Sequence, residues 1–292
     1  MIENKGNTCF LGTALECIIH TPSMNNYIMT YNHQTKNEAI LYYKLHTSVR
    51  NGEVGDPSEL YKKIRSFYKP FDNRGQHDAH EAILVILEYL NIFMDRIPNT
   101  MYKGSLDGNR SWGERYSIVD EIYKLQFENR IRCTRCRYEI LKYECTYGIY
   151  DTFTGIGSHA LPGYTCDRCH ERDTCYEHLS VCHYPPTLIV RLKNDCPLSI
   201  FEKVIVFGSR LYSLFAACLY IPGSKDKGHY NTVILKNEQW TLVDDDIDYP
   251  VRDLDTVRIR ASVLFLHTKS RVEQTTATLA GLDDFNDLFG RR

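Results

Sequence analysis

The sequence predicts an α+β fold, with helices first and a mainly antiparallel sheet last. Three observations carry this. Apolar residues recur at helical spacing in the first part of the chain, up to about Phe93. After about Leu125, short stretches rich in β-branched and aromatic residues take over, separated by turn residues. Between the helices and most of the strands lies a cysteine-rich insert.

The first helix is expected to begin near Cys9. It runs through Phe10, Leu11, Ala14, Leu15, Ile18 and Ile19 to a stop near Pro22. Further helices fit between Glu38 and Val49 and between Pro57 and Phe67. A longer one covers Asp78 to Phe93, with Ala79, Ala82, Ile83, Ile86, Leu87 and Leu90 on one face. Asp78 followed by Glu81 resembles a capping pair at its start. The strand signals are Thr187–Leu192, Val204–Phe207, Leu211–Ile221, Tyr230–Leu235, Trp240–Val243 and Ser262–His267. From Lys269 onward the chain turns polar, and Leu282, Asp283, Asp284, Phe285, Asp287, Leu288 and Phe289 alternate acid with bulk. This stretch reads as a mobile tail, or as a short partner-docking motif.

Bulk properties narrow the function. The 292 residues suffice for one large domain or two smaller ones. With 35 basic and 37 acidic side chains, net charge gives no case for general nucleic-acid binding. No run of about 18 apolar residues suggests a membrane span. Met1 to Phe10 is polar, without the basic start and apolar stretch of a secretory signal. A reducing compartment is therefore expected, cytoplasmic or nuclear. There, 11 cysteines argue for thiols, metal sites or a nucleophile rather than a disulfide framework.

Cys9 sits where a polar, turn-prone stretch meets the first apolar helix. The helix dipole and free N–H groups there stabilise a thiolate and lower its pKa. Gly6 lets the backbone turn sharply, and Asn4 is close enough in sequence to donate an amide to an oxyanion. The plainer reading is a small buried residue at a helix start. A nucleophile needs a base. His229 opens a run that turns at Lys236–Asn237 and returns through Gln239 to Val243, ending in Asp244, Asp245 and Asp246. Counting outward from that turn pairs His229 with Asp244; a turn one residue longer gives Asp245. An acid opposite the imidazole would hold its N–H and stabilise the imidazolium, the base–orienter half of a Cys–His–Asp triad. The alternative is a surface hairpin with a solvated acidic end.

Cys133-Thr-Arg-Cys136 and Cys166-Asp-Arg-Cys169 form two C-x-x-C knuckles. Four thiolates complete a closed tetrahedral zinc site with no open position, hence a structural Zn2+. His170, Cys175, His178, Cys182 and His183 are possible substitutes. A zinc ribbon can also bind nucleic acid, but Asp167, Glu171 and Asp173 between the knuckles disfavour a phosphate-binding surface.

Together these pieces resemble the ubiquitin-specific protease family, the papain-like deubiquitinases. Ile2-Glu-Asn-Lys-Gly-Asn-Thr-Cys-Phe10 resembles its cysteine box, and Gln76-His-Asp-Ala-His-Glu81 its glutamine–aspartate box. Tyr184 to Lys193 resembles the strand before the histidine box, and Gly228-His-Tyr230 with Trp240 to Asp246 the histidine box itself. Ala261 to Leu266 resembles the closing strand. The resemblance runs from about Ile2 to His267, in order. It implies a right-hand architecture: a helical thumb to about residue 125, zinc-ribbon fingers over about 126–183 and a β-rich palm over about 184–268. It implies ubiquitin and ubiquitinated proteins as partners, with Cys9, His229 and Asp244 as the triad. Asn4 would serve the oxyanion hole and Asp245 would be a supporting acid. Asp78 and Gln76 would meet the basic ubiquitin tail, and Gly228 and Tyr230 would border the channel for its Gly-Gly end. The chain is expected to act as a monomer. Gly12-Thr13 departs from the family's asparagine-containing pair, and the chain is short for the family, so trimmed fingers are expected. Rival readings are an inactive ubiquitin-binding scaffold, a protease for another ubiquitin-like modifier, and a zinc-ribbon nucleic-acid binder.

Overall fold

The computed structural model describes residues 1–30, 38–73, 75–97, 116–153, 155–196, 204–223, 228–252, 254, 260–269 and 283–284. The first helix, α1 (Cys9–Ile19), is buried at every position except Gly12. Its apolar sequence therefore suits a helix enclosed on all sides. Pro22 ends α1 as expected, and it also opens α2 (Pro22–Thr30). Proline at a first helical position costs no hydrogen bond, so one residue serves both purposes. Next come α3 (Ala39–Arg50) and α4 (Ser58–Phe67), which buries Leu60, Tyr61 and Ile64 on one face. α5 (Ala79–Phe93) begins at Asp78, whose carboxylate accepts from the His80 and Glu81 N–H groups. Glu81 does not complete the box; it accepts from the Tyr68 hydroxyl at 2.7 Å instead. The short α6 (Ile118–Tyr123) carries a full capping box from Ser117 and Asp120.

Two sheets follow. β1 (Leu125–Cys133), β2 (Glu139–Thr146), β4 (Gly157–Ala160) and β5 (Cys175–His183) form a four-stranded antiparallel sheet in the order β2-β1-β5-β4. The larger sheet runs β11-β10-β9-β8-β12-β6-β3. Its members are β3 (Ile149–Tyr150), β6 (Thr187–Cys196), β8 (Arg210–Pro222), β9 (Gly228–Lys236), β10 (Gln239–Asp244), β11 (Ile247–Val251) and β12 (Arg260–Thr268). Along this path it is antiparallel except where β3 joins β6. β7 (Ile205–Phe207) pairs with β8.

Alternation along the central strands sorts two cores. Val263, Phe265, Ala216, Cys218 and Ile234 face the helices and join one cluster with α1 and α5. Leu264, Leu266, Ala217, Leu219 and Val233 face the other way, onto Leu125, Phe127, Phe207 and Tyr212. α1 is thus clamped between α5 and the sheet. No described helix is long and apolar enough to cross a membrane. One expectation changes at the C-terminus. Asp283–Asp284 form β13, paired in parallel with Ile205–Val206, rather than a wholly free tail. Otherwise that stretch, beyond Lys269, lies outside the described residues.

Candidate active site

Gly6 (φ +79°) and Asn7 (φ 49°) both adopt the left-handed region, which turns the chain sharply into α1. Thr8 precedes the helix but does not cap it. Its hydroxyl instead donates to Asn4 Oδ1 at 2.9 Å and accepts from the Lys5 N–H at 3.0 Å. The Cys9 and Phe10 N–H groups therefore stay available to the Cys9 sulfur, while that of Leu11 bonds the Thr8 carbonyl at 3.0 Å. Gly6 N–H also donates to Asn4 Oδ1, at 3.0 Å, which fixes the amide by its oxygen end. Asn4, Thr8, Cys9, Gly12, Tyr230 and Asp245 line a small cavity of about 20 Å³.

Cys9 is 6% exposed. Burial pushes its thiol pKa up, and the nearby Asp245 carboxylate adds to that; N–H groups of Tyr230, Phe10 and Cys9 itself oppose it. The helix-start effect expected from the sequence is thus present, but burial outweighs it.

His229 and Asp244 meet: Nε2 lies 2.6 Å from Oδ1. The register that joins them differs from the expected one. Lys236 pairs with Gln239, and the two-residue turn is Asn237–Glu238, both with positive φ, as a type I′ hairpin requires. The ladder closes at Val243 opposite Thr232, two positions away from the expected count. A slip of two keeps every side chain on its face, whereas a slip of one reverses it. His229 therefore reaches Asp244 diagonally rather than directly across. Asp245 (φ 55°) lies in the next turn, and its carboxylate, that of Asp244 and the imidazole present ligand atoms within 4.8 Å of one another.

Asn231 was not anticipated. It is buried two residues beyond His229, on the same face of β9. With its amide nitrogen turned to the carboxylate, it donates to Asp244 Oδ1 at 3.0 Å, and the amide lies 2.7 Å from His229 Nε2. Period-two spacing from His229 was the available signal. The hydroxyls of Thr13 on α1 and Thr232 on β9 also touch, joining the cysteine-bearing helix to the histidine-bearing strand.

Gln76 and Asp78 both bond residues of the large sheet. The Gln76 amide donates to the Gly228 carbonyl at 2.6 Å and accepts from the Gly228 N–H at 2.8 Å. A Cβ at Gly228 would lie 2.2 Å from the Tyr220 ring, so a side chain there would force that ring to move. Tyr220 in turn packs on Tyr230, with centroids 5.0 Å apart. Asp78 holds Arg191 of β6 through two bonds, 3.0 Å from Nη1 to Oδ1 and 2.8 Å from Nη2 to Oδ2. Arg191 was not singled out from the sequence.

In the small sheet, Cys133, Cys136, Cys166 and Cys169 bring their sulfurs within 4.8 Å of one another. Cys133 and Cys169 are 3.7 Å apart, and Cys136 and Cys166 3.6 Å. Four sulfurs about 2.3 Å from one ion would lie about 3.8 Å apart, so this spacing fits a metal. The knuckles are alike. Arg137 N–H bonds the Cys133 carbonyl at 3.0 Å and His170 N–H the Cys166 carbonyl at 2.9 Å, with both donors at positive φ. The Thr174 hydroxyl and the Cys136 N–H draw the Cys133 thiol down to about 5. The four cysteines can hold a metal ion.

The family model of ubiquitin carboxyl-terminal hydrolases matches residues 2–266. The chain belongs to that family. Among named relatives, ubiquitin carboxyl-terminal hydrolase 23 of Arabidopsis thaliana is 23% identical over 305 residues, covering 90% of this chain. This chain spans only 35% of that protein. Ubiquitin carboxyl-terminal hydrolase 12 of Salmo salar is 22% identical, covering 84% of this chain and 80% of its own length. Among solved structures, a chain of the SAGA DUB module of Ubp8, Sgf11, Sus1 and Sgf73 bound to monoubiquitin superposes with a TM-score of 0.67 at 16% identity. The match covers 92% of this chain and 69% of that one. The same module bound to ubiquitin aldehyde gives the same TM-score, 0.67. The α+β architecture is therefore that of this hydrolase family, with the helices as thumb, the large sheet as palm and the cysteine-bearing sheet as fingers.

Proposed function

We propose that this chain is a thiol-dependent deubiquitinase, hydrolysing peptide or isopeptide bonds at the C-terminal glycine of ubiquitin. The observation that carries the reading is the 2.6 Å bond from His229 Nε2 to Asp244, at the end of the strand that packs against the Cys9 helix. That bond fixes the tautomer that leaves Nδ1 as the basic nitrogen. His229 accepts the Cys9 proton as sulfur attacks the carbonyl carbon, and then gives it to the leaving amine. Water resolves the thioester, again with His229 as base. The Cys9 and Phe10 N–H groups at the start of α1 and the Asn4 amide, fixed by its oxygen end, are suited to hold the oxyanion. Asp245 adds negative charge beside the imidazolium that forms. Zinc, held by Cys133, Cys136, Cys166 and Cys169, would fix the fingers and take no part in the chemistry. The free cysteines suit a reducing compartment, cytoplasm or nucleus.

The test is a ubiquitin probe with a C-terminal electrophile, together with a fluorogenic ubiquitin reporter. The expected result is labelling at Cys9 and complete loss of cleavage in Cys9→Ala. Reporter cleavage that survives Cys9→Ala would sink the assignment. Burial of Cys9 favours a second reading, a ubiquitin-binding scaffold without turnover. Tight ubiquitin binding with no labelling would select it.

A further inference from the structure

Two neighbouring side chains reach from the thumb to the palm, and both are engaged. Gln76 holds the main chain of Gly228, and Asp78 holds the guanidinium of Arg191. These partners have a common character. A strand main chain and a cation are the two groups that an extended basic peptide brings to a cleft.

The capacity of Asp78 sharpens the point. A carboxylate has about four acceptor sites. Asp78 accepts from the N–H groups of His80 at 2.7 Å and Glu81 at 3.3 Å, and from Arg191 at 3.0 and 2.8 Å. The two helix donors cannot leave without unwinding the first turn of α5. Arg191 can leave: its side chain is 31% exposed and that of Asp78 38%. An incoming guanidinium can pair bidentately with Asp78 only by taking the place of Arg191.

We propose that Arg191 stands in the free enzyme where the basic tail of the substrate must bind, as an internal competitor for Asp78. It is a specificity residue, not a catalytic one. A tail without a cation at that point cannot displace it, so Arg191 raises the threshold for weakly basic tails. The proposal rests on the ubiquitin reading and on Asp78 as the tail contact.

The experiment measures binding of fluorescein-labelled ubiquitin by anisotropy in the Cys9→Ala background, so that turnover does not interfere. Arg191→Met keeps the stem and removes the fork. The expected result is a Kd lowered about two- to fivefold, the scale of a partly exposed ion pair. The gain should vanish with Asp78→Asn, which preserves the helix cap. It should vanish also with ubiquitin whose basic tail residues are neutralised. Unchanged or weaker binding in Arg191→Met would mean that the pair is only a thumb–palm strut, and would overturn the proposal. If Arg191→Met does not fold, Arg191→Lys, which keeps a cation but not the fork, must show a smaller gain; a loss there overturns it equally. Failure of the wild-type chain to cleave the reporter, with ubiquitin binding and the gain intact, would remove the hydrolase reading and leave this one standing. No ubiquitin binding in either background would remove both.

Discussion

Replacing Asp244 with alanine tests how the imidazole is held. The bond from His229 Nε2 to Asp244 Oδ1 is 2.6 Å long. A hydrogen bond to a charged group contributes about 1.5–3 kcal/mol. The two side chains are 35% and 40% exposed, so solvent screening favours the lower end, about 1.5–2 kcal/mol. At 1.36 kcal/mol per factor of ten, kcat should fall about ten- to thirtyfold. The loss stays moderate because Asn231 remains 2.7 Å from Nε2 and can turn its amide oxygen to accept the N–H. Adding Asn231→Ala to Asp244→Ala should cost roughly another tenfold, since the imidazole then has no orienting acceptor. The assay is reporter hydrolysis under saturating substrate, with melting curves to confirm folding. KM should move little, because neither side chain borders the tail channel. The reasoning fails if Asp244→Ala keeps full kcat. It fails also if Asp245→Ala costs more than Asp244→Ala, which would make the next acid the orienter.

The remaining predictions concern charge and metal. Asp245 helps to hold the Cys9 pKa up, so Asp245→Asn should lower it. More thiolate is then present at neutral pH, and the rise of iodoacetamide alkylation with pH should move to lower pH. At pH 7 the rate should rise less than about tenfold, given a carboxylate partly open to solvent; an unchanged profile would show that burial alone sets the thiol. Isolated protein should carry zinc, and Cys136→Ser should abolish its stoichiometric binding. The knuckle cysteines Cys133 and Cys166 pack with Ile131 and Cys175 in a cluster separate from the core around α1. KM for ubiquitin should therefore rise several-fold while alkylation of Cys9 stays within about twofold. Loss of both would show that the fingers and the catalytic core unfold together.

The helices were legible because α1 and α5 carry long, uninterrupted periodic signals, and Asp78 announced the start of α5. The finger strands were not. β2 has no fully buried position, so the alternation of Leu141, Tyr143 and Cys145 with Lys142 and Glu144 marks no core face. α6 is too short for a period to emerge and is marked chiefly by its capping box. The hairpin shows a third case. Glu238 adopts φ 64°, a conformation that glutamate seldom takes, so the turn was placed one residue too early. The predicted contact survived because the error shifted the pairing by two and preserved the face. Arg191 was hidden for another reason. Its partner lies 113 residues away, and nothing in a strand-like run marks which side chain will cross a cleft.

The site depends on a feature that no single motif conveys. Cys9 and His229 stand on elements separated by most of the chain, yet α1 and β9 bury side chains in one cluster with α5 and β12. Their relative position is therefore set by the packing of Leu15, Ile234 and Phe265, and pinned by the contact of Thr13 with Thr232. Interior packing of this kind is discrete rather than continuously adjustable, so it can hold a thiol and an imidazole in place before substrate arrives. The same enclosure has a chemical consequence. Burial that positions Cys9 also disfavours its thiolate, which increases the demand on the base proposed for His229. On the proposed mechanism, a helix sunk into the shared core accounts for both the precision of the site and its dependence on a well-oriented base.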